Sequence, residues 1–181
     1  VGAGANRGIE FIPEVNDEVV VIFENGDVNN AYVVGGLWNG QDAPPVPSNT
    51  AVQSGKVVKR VIKSRSGHIV TLDDTDGSEQ IIVQDKAGNI IKLESSSNKL
   101  TIDVKGDGMI KTGGNLTIEA VGNLTIKATG SAEVKGTGLT LKSDAAASLE
   151  ANATLDLKGT GPATLQSSAI TAVKGSLVQI N

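Results

Sequence analysis

Apolar residues along this 181-residue chain recur as pairs two positions apart, first as Ile81/Val83, Ile91/Leu93 and Leu100/Ile102, then as Leu116/Ile118 and Leu124/Ile126. The interval between pairs shrinks from about ten residues to a steady eight. The second member runs Ile102, Ile110, Ile118, Ile126, Val134, Leu141, Leu149, Leu157, Leu165, Val173, Ile180, in steps of eight except for two of seven that end at Leu141 and Ile180. The first member is looser: Leu100, Gly108, Leu116, Leu124, Ala132, Leu139, Ala147, Leu155, Ala163, Thr171 and Val178. Spacing by two puts each pair on one face of a strand and its polar neighbours on the other. A helix would favour 3.6 or a heptad, and neither is present. Gly106, Gly114, Gly122, Gly130 and Gly138 fall at the breaks and read as corners.

A strand of about five residues plus a corner cannot bury its apolar face alone, so such units must stack. Eight residues then form one side of a triangular prism, and three octads one turn. Either one chain coils on itself or three identical chains wind together. With strands about 4.8 Å apart, residues 98–181 give a single-chain stub about 17 Å tall or a three-chain shaft of about 50 Å. The stub would leave open sheet edges at both ends, so an intertwined homotrimeric β-helix is the expectation. Its interior would be Leu100, Ile102, Ile110, Leu116, Ile118, Leu124, Ile126, Val134, Leu139, Leu141, Leu149, Leu155, Leu157, Leu165, Val173, Val178 and Ile180. Glu119 and Lys127 occupy equivalent outer positions in successive octads, and winding would bring them together on adjacent chains.

Ahead of the octads the pattern changes. Residues 1–41 contain two strands, at about Glu18 to Phe23 and Ala31 to Leu37, joined by the Asn-Gly turn chemistry of "ENGDVNN". Residues 42–55 form a linker stiffened by Pro44, Pro45 and Pro47. Residues 56–97 are neck strands, "KVVKRVIKS", "HIVTLDD", "EQIIVQD" and "NIIKLES", bounded by Gly, Asp, Asn and Ser. Residues 98–181 are the octad needle. The fold class is therefore all-β.

Composition supports a thin, repetitive structure, because the only aromatic residues, Phe11, Phe23, Tyr32 and Trp38, lie at the start of the chain, none beyond Trp38. The net charge is −4 with signs interspersed, which gives no basic stripe for nucleic acid. Cysteine is absent, removing disulfides, thiolate metal sites and cysteine nucleophiles together. No signal peptide and no long apolar run is recognisable, so synthesis in the cytoplasm is expected. The lack of an initiator Met suggests a fragment of something longer.

Candidate chemistry is thin. His68 is the only histidine; it lacks the partners a base or metal ligand needs and reads as structural, a trimeric metal cluster on the axis being the alternative. "DDTDG" at 73–77 fails as an EF-hand, since aligning Gly77 with the loop glycine puts Leu72 and Val83 at ligand positions; a hairpin turn is expected. The carboxylates look scattered along exposed strands without aromatic neighbours, unlike a glycosidase cleft. No catalytic residue, metal or cofactor is expected.

Two blocks carry a resemblance. "FIPEVNDEVVVIFENGDVNNAYVVGGLWNG" resembles the closing strands of the oligonucleotide/oligosaccharide-binding (OB) barrel in spike proteins of contractile injection machines. "SGHIVTLDDTDGSEQIIVQDKAGNIIKLES" followed by "GNLTIEAVGNLTIKA" resembles their neck and needle. The family includes the VgrG spikes of type VI secretion, the tail spikes of contractile phages and the spikes of extracellular injection particles. Asn16 stands where the family usually has Gly, and "VNNA" replaces a turn that often carries Pro.

The resemblance implies the C-terminal part of an OB barrel followed by a homotrimeric needle, a mechanical rather than enzymatic role, and action at a target cell envelope from an extracellular or virion-like particle. It implies a PAAR-repeat tip protein seated on Val178, Gln179, Ile180 and Asn181, tail-tube, hub and baseplate partners bound through upstream domains, transient contact with a membrane, and no nucleic acid. Where some phage relatives insert a lysozyme, only "QDAPPVPS" and a few neck residues are present. A trimeric receptor- or glycan-binding tail fibre is the alternative. A depolymerase fragment and an ice-binding solenoid fit less well, the latter because Thr117 and Thr125 are followed two residues on by Glu119 and Lys127.

Overall fold

A computed structural model describes residues 3–180 of the chain. It divides into two units, Val1–Leu116 and Thr117–Asn181. In the first, β1 (Ala3–Gly4) and β2 (Arg7–Gly8) form a minimal hairpin, and β3 (Val19–Phe23) pairs antiparallel with β4 (Ala31–Gly36). A bulge between Val20 and Val21 shifts the register of the second pair.

The β3–β4 connection shows how sequence makes a turn. Asn25 and Gly26 take φ of 49° and 80°, the left-handed region that Asn and Gly tolerate best. Asp27 then gathers the loop: its carboxylate accepts from the Asn29 backbone N–H at 2.9 Å and from the Asn30 side-chain amide at 3.1 Å. Tyr32 donates its hydroxyl to Glu24 across the turn at 3.0 Å.

After the prolines comes one helical turn, α1 (Ser48–Ala51), then a two-residue hairpin of β5 (Val52–Gln53) and β6 (Lys56–Val57). Its corner, Ser54–Gly55, again has positive φ at both positions, 50° and 77°, as a type I′ hairpin requires. Val58, the one buried apolar residue among those described, follows at once and donates to the Ala51 carbonyl.

The neck strands form the largest sheet, which also takes in residues 99–103 from the start of the octad segment. Strands β7 (Lys59–Lys63), β8 (Ile69–Asp73), β9 (Gln80–Gln84), β10 (Ile90–Glu94) and β11 (Lys99–Asp103) form an antiparallel meander in that order. Each is joined to the next by a short turn, and "DDTDG" is part of the β8–β9 corner. The β9–β10 corner is stitched by Asp85, whose carboxylate accepts from the Asn89 backbone N–H at 2.9 Å and from its side-chain amide at 2.7 Å. Asn89 in turn accepts from the Lys105 N–H at 2.8 Å, tying the end of β11 to that corner.

None of residues 104–180 lies in a strand. The octad residues are exposed, from 46% at Val178 to 89% at Ile180 among those named above. At Gly106, Gly114, Gly122, Gly130 and Gly138 an added Cβ would meet nothing within 4 Å, so nothing within the chain itself demands glycine there. The described fold is all-β apart from short helical turns.

Candidate functional site

Cross-strand register sorts the neck side chains into two faces. Ile62, Val70, Val83, Ile91 and Ile102 form one row across the five strands. Arg60, Leu72, Ile81, Leu93 and Leu100 form the row beside it. Nine of these ten residues are large and apolar, yet their exposure runs from 36% at Val70 to 64% at Ile102. The tenth, Arg60, is neutralised by an ion pair with Asp74.

The opposite face is mixed in character and more sheltered. Asp73 is buried there, accepting from the Thr75 hydroxyl at 2.6 Å and its N–H at 3.1 Å, with the Lys59 ammonium also at 3.1 Å. Burial by itself would raise the Asp73 pKa, but the Thr75 and Lys59 interactions outweigh it and hold the carboxyl below its ordinary value. Asp85 is lowered as well, chiefly by the two Asn89 hydrogen bonds. Lys92 and Glu94 pair at 3.2 Å on the same face. The sheet thus pairs Asp73 and Lys92 on its polar side, leaves Glu94 Oε2 and Thr101 Oγ1 buried there without a partner, and presents its greasy side to solvent, the reverse of a self-sufficient domain.

A second feature is an open cleft of about 1020 Å³ bordered by Phe11, Trp38, Pro44, Pro45, Val61 and Arg65. Asp17, Glu18 and Asp42 also line it. The sequence reading missed this: it treated the carboxylates as remote from aromatic residues, whereas loop and strand ends bring Trp38 and Phe11 beside three of them. No signal at the level of spacing marks the meeting, because the residues come from separate segments. These acids are already engaged in shaping loops. Asp17 accepts from the Glu14 N–H at 2.8 Å, and Glu18 and Asp42 both accept from the Asn39 side-chain amide, at 2.9 and 3.2 Å.

His68 lies in the β7–β8 turn, where its Nδ1 accepts from the Lys86 N–H at 3.3 Å. Among the described residues no group of three or more His, Asp or Glu could hold a metal ion. Among the described residues no helix is long and apolar enough to cross a membrane. Val178, Gln179 and Ile180 belong to the second unit, and Asn181 lies outside the described residues. Glu119 and Lys127 are both exposed there.

Residues 1–38 match the model of the type VI secretion system/phage-baseplate injector OB domain. The chain is 30% identical over 103 residues to the type VI secretion system spike protein VgrG1b of Pseudomonas aeruginosa, an alignment covering 51% of this chain and 13% of that protein. It is 29% identical over 106 residues to VgrG1c (53% and 14%) and to VgrG1a (52% and 15%) of the same organism. The chain therefore spans about a seventh of the length of these relatives. At Asn16, the backbone has a φ of 81° and so keeps the left-handed conformation that a glycine would supply. The injector OB domain at its start and the spike proteins aligned over half its length support a likeness to the VgrG and phage-baseplate spike family.

Proposed function

We propose that this chain is the end of an OB barrel, the neck and the needle of a homotrimeric, cell-puncturing spike, driven mechanically through a target envelope by a contractile injection machine. The observation that carries the reading is the octad series. Seventeen Leu, Ile and Val residues recur on one side of a two-residue period, and none of those beyond Asp103 is in a strand paired within its own chain. Burying each is worth about 1.5–3 kcal/mol, so the segment has a strong drive to find partners. Three chains wound as a triangular β-helix would supply strand neighbours and a dry interior at once.

In this assembly the corner glycines acquire a purpose. Three chains turning in one layer bring backbones together at each edge of the prism, where a side chain would crowd the neighbour. The resulting shaft would have hydrogen bonds along its length and chains that cannot separate without unwinding. That construction suits a part that transmits force, and the cleft carboxylates Glu18 and Asp42 are occupied in loop hydrogen bonds.

Val178, Gln179, Ile180 and Asn181 would form the platform for a PAAR-like tip, and the OB end would join hub, tail-tube and baseplate proteins. The work place is the envelope of the target cell, reached from a secretion machine, phage tail or extracellular particle. The names of the relatives favour a spike over the adhesive tail fibre. Light scattering with sedimentation velocity tests the core of the proposal. A mass of three chains with high frictional drag is expected, and a compact monomer overturns it.

A further inference from the structure

The neck sheet differs from the needle in one respect that bears on assembly. All five neck strands find their hydrogen-bond partners within one chain, while residues 104–180 contain no strand. The neck can therefore form before any second chain arrives, and it forms with nine large apolar side chains exposed on one face. That face carries a single charge, Arg60, already paired with Asp74. Identical copies can meet across it without like-charge repulsion, and this self-complementarity singles out a second copy of the same chain as the occupant.

The needle has the opposite difficulty. From Ile102 to Val134 the second apolar residue recurs every eight positions without interruption. A chain slipped by one octad would still place every pair inside, just as featureless strands slip when nothing marks their register. The seven-residue steps that could expose an error come only at Leu141 and Ile180. The neck is not periodic in this way: Val83 to Leu93 is ten residues and Leu93 to Ile102 nine. Its rows are locked by intrachain pairing, so displacing one copy by one strand leaves two large apolar side chains uncovered.

We propose that the apolar face of the β7–β11 sheet is the registration surface of the assembly. Copies of the chain dock there first and so fix which octad of one chain meets which octad of the next. The needle then closes from the neck outward. This rests on the trimeric reading above and adds an order of events and a cause of alignment to it.

The test uses the full chain, which lacks cysteine, so Glu119→Cys provides a single nitroxide site on the needle. The parent should give one inter-label distance by double electron–electron resonance. Adding Ile81→Asn with Val83→Asn should broaden it into several distances and slow trimer formation at least tenfold. Adding Ile126→Asn instead should lower the unfolding midpoint of the trimer, yet leave a single distance and the parent association rate. A neck variant with one sharp distance and an unchanged rate overturns the proposal, as does scrambling by the needle variant alone. Pulsed hydrogen exchange during refolding of the unmodified chain guards against a variant that fails to fold. Protection across residues 59–103 should precede that across 116–173, and the reverse or simultaneous order overturns the proposal. A parent that is monomeric by light scattering overturns both the trimer and the registration surface; a trimeric parent with an indifferent neck overturns only the latter.

Discussion

Asp73 ends β8 as a buried carboxylate held by Thr75 and Lys59. Its pKa in the fold lies below the ordinary value, the Thr75 and Lys59 interactions outweighing burial. The unfolded chain binds the proton more readily, so the contribution to stability is complete above the unfolded value of about 3.9 and is lost as pH falls through the lower, folded one. Urea midpoints at fixed chain concentration should stay level through the mildly acidic range and fall below about pH 4. Asp73→Asn should cost about 1–3 kcal/mol at neutral pH, by loss of charge-assisted hydrogen bonds, and should shrink that acid limb. Asn16 offers a backbone counterpart. Its φ of 81° means Asn16→Ala should destabilise by about 1–2 kcal/mol, while Asn16→Gly should be tolerated. Equal midpoints for the two variants would contradict that account.

At the scale of elements, the first four strands of the neck sheet were legible because a two-residue period and Gly, Asn, Asp and Ser breaks are local properties, whereas the fifth, β11, comes from the segment read as the start of the needle. β3 and β4 were legible for the same reason, and the structure moves their ends by only a residue. What joins separate segments was not. The contact from Lys105 to Asn89 spans sixteen residues, and the meeting of Trp38 with Phe11 and Asp17 depends on where loops return. The prolines announced a stiff stretch without announcing the helical turn and small hairpin that follow it. For residues 104–180, periodicity tells which side chains share a face and is silent on which chain lies beside them. The Asn89 stitch is testable alone. Asn89→Ala removes the side-chain donor to Asp85 and the acceptor for Lys105. It should cost about 1 kcal/mol and hasten hydrogen exchange at the Lys105 amide; unchanged exchange there would remove the stitch from the description.

For the whole molecule the decisive matter is whether chains wind around one another or merely associate, and trimer mass alone does not separate the two. Outer charges do. In an intertwined prism, octads on one face come from successive chains, so Glu119 of one chain lies beside Lys127 of the next. In a single-chain coil, the neighbour of Glu119 on the same face is about three octads further along, and Lys127 faces elsewhere. Lys127→Glu should then set like charges together and weaken the trimer, and Glu119→Lys should do the same in the opposite sense. The double exchange should recover the loss, with a coupling of about 0.2–1 kcal/mol for each pair. Three such pairs in a trimer make that coupling measurable by unfolding at fixed chain concentration. Because both side chains are exposed, the coupling should fade as salt is raised from low to physiological strength and beyond. A trimer with purely additive charge reversals would mean that its chains do not interleave in this register, and the stiffness of the shaft would need another source.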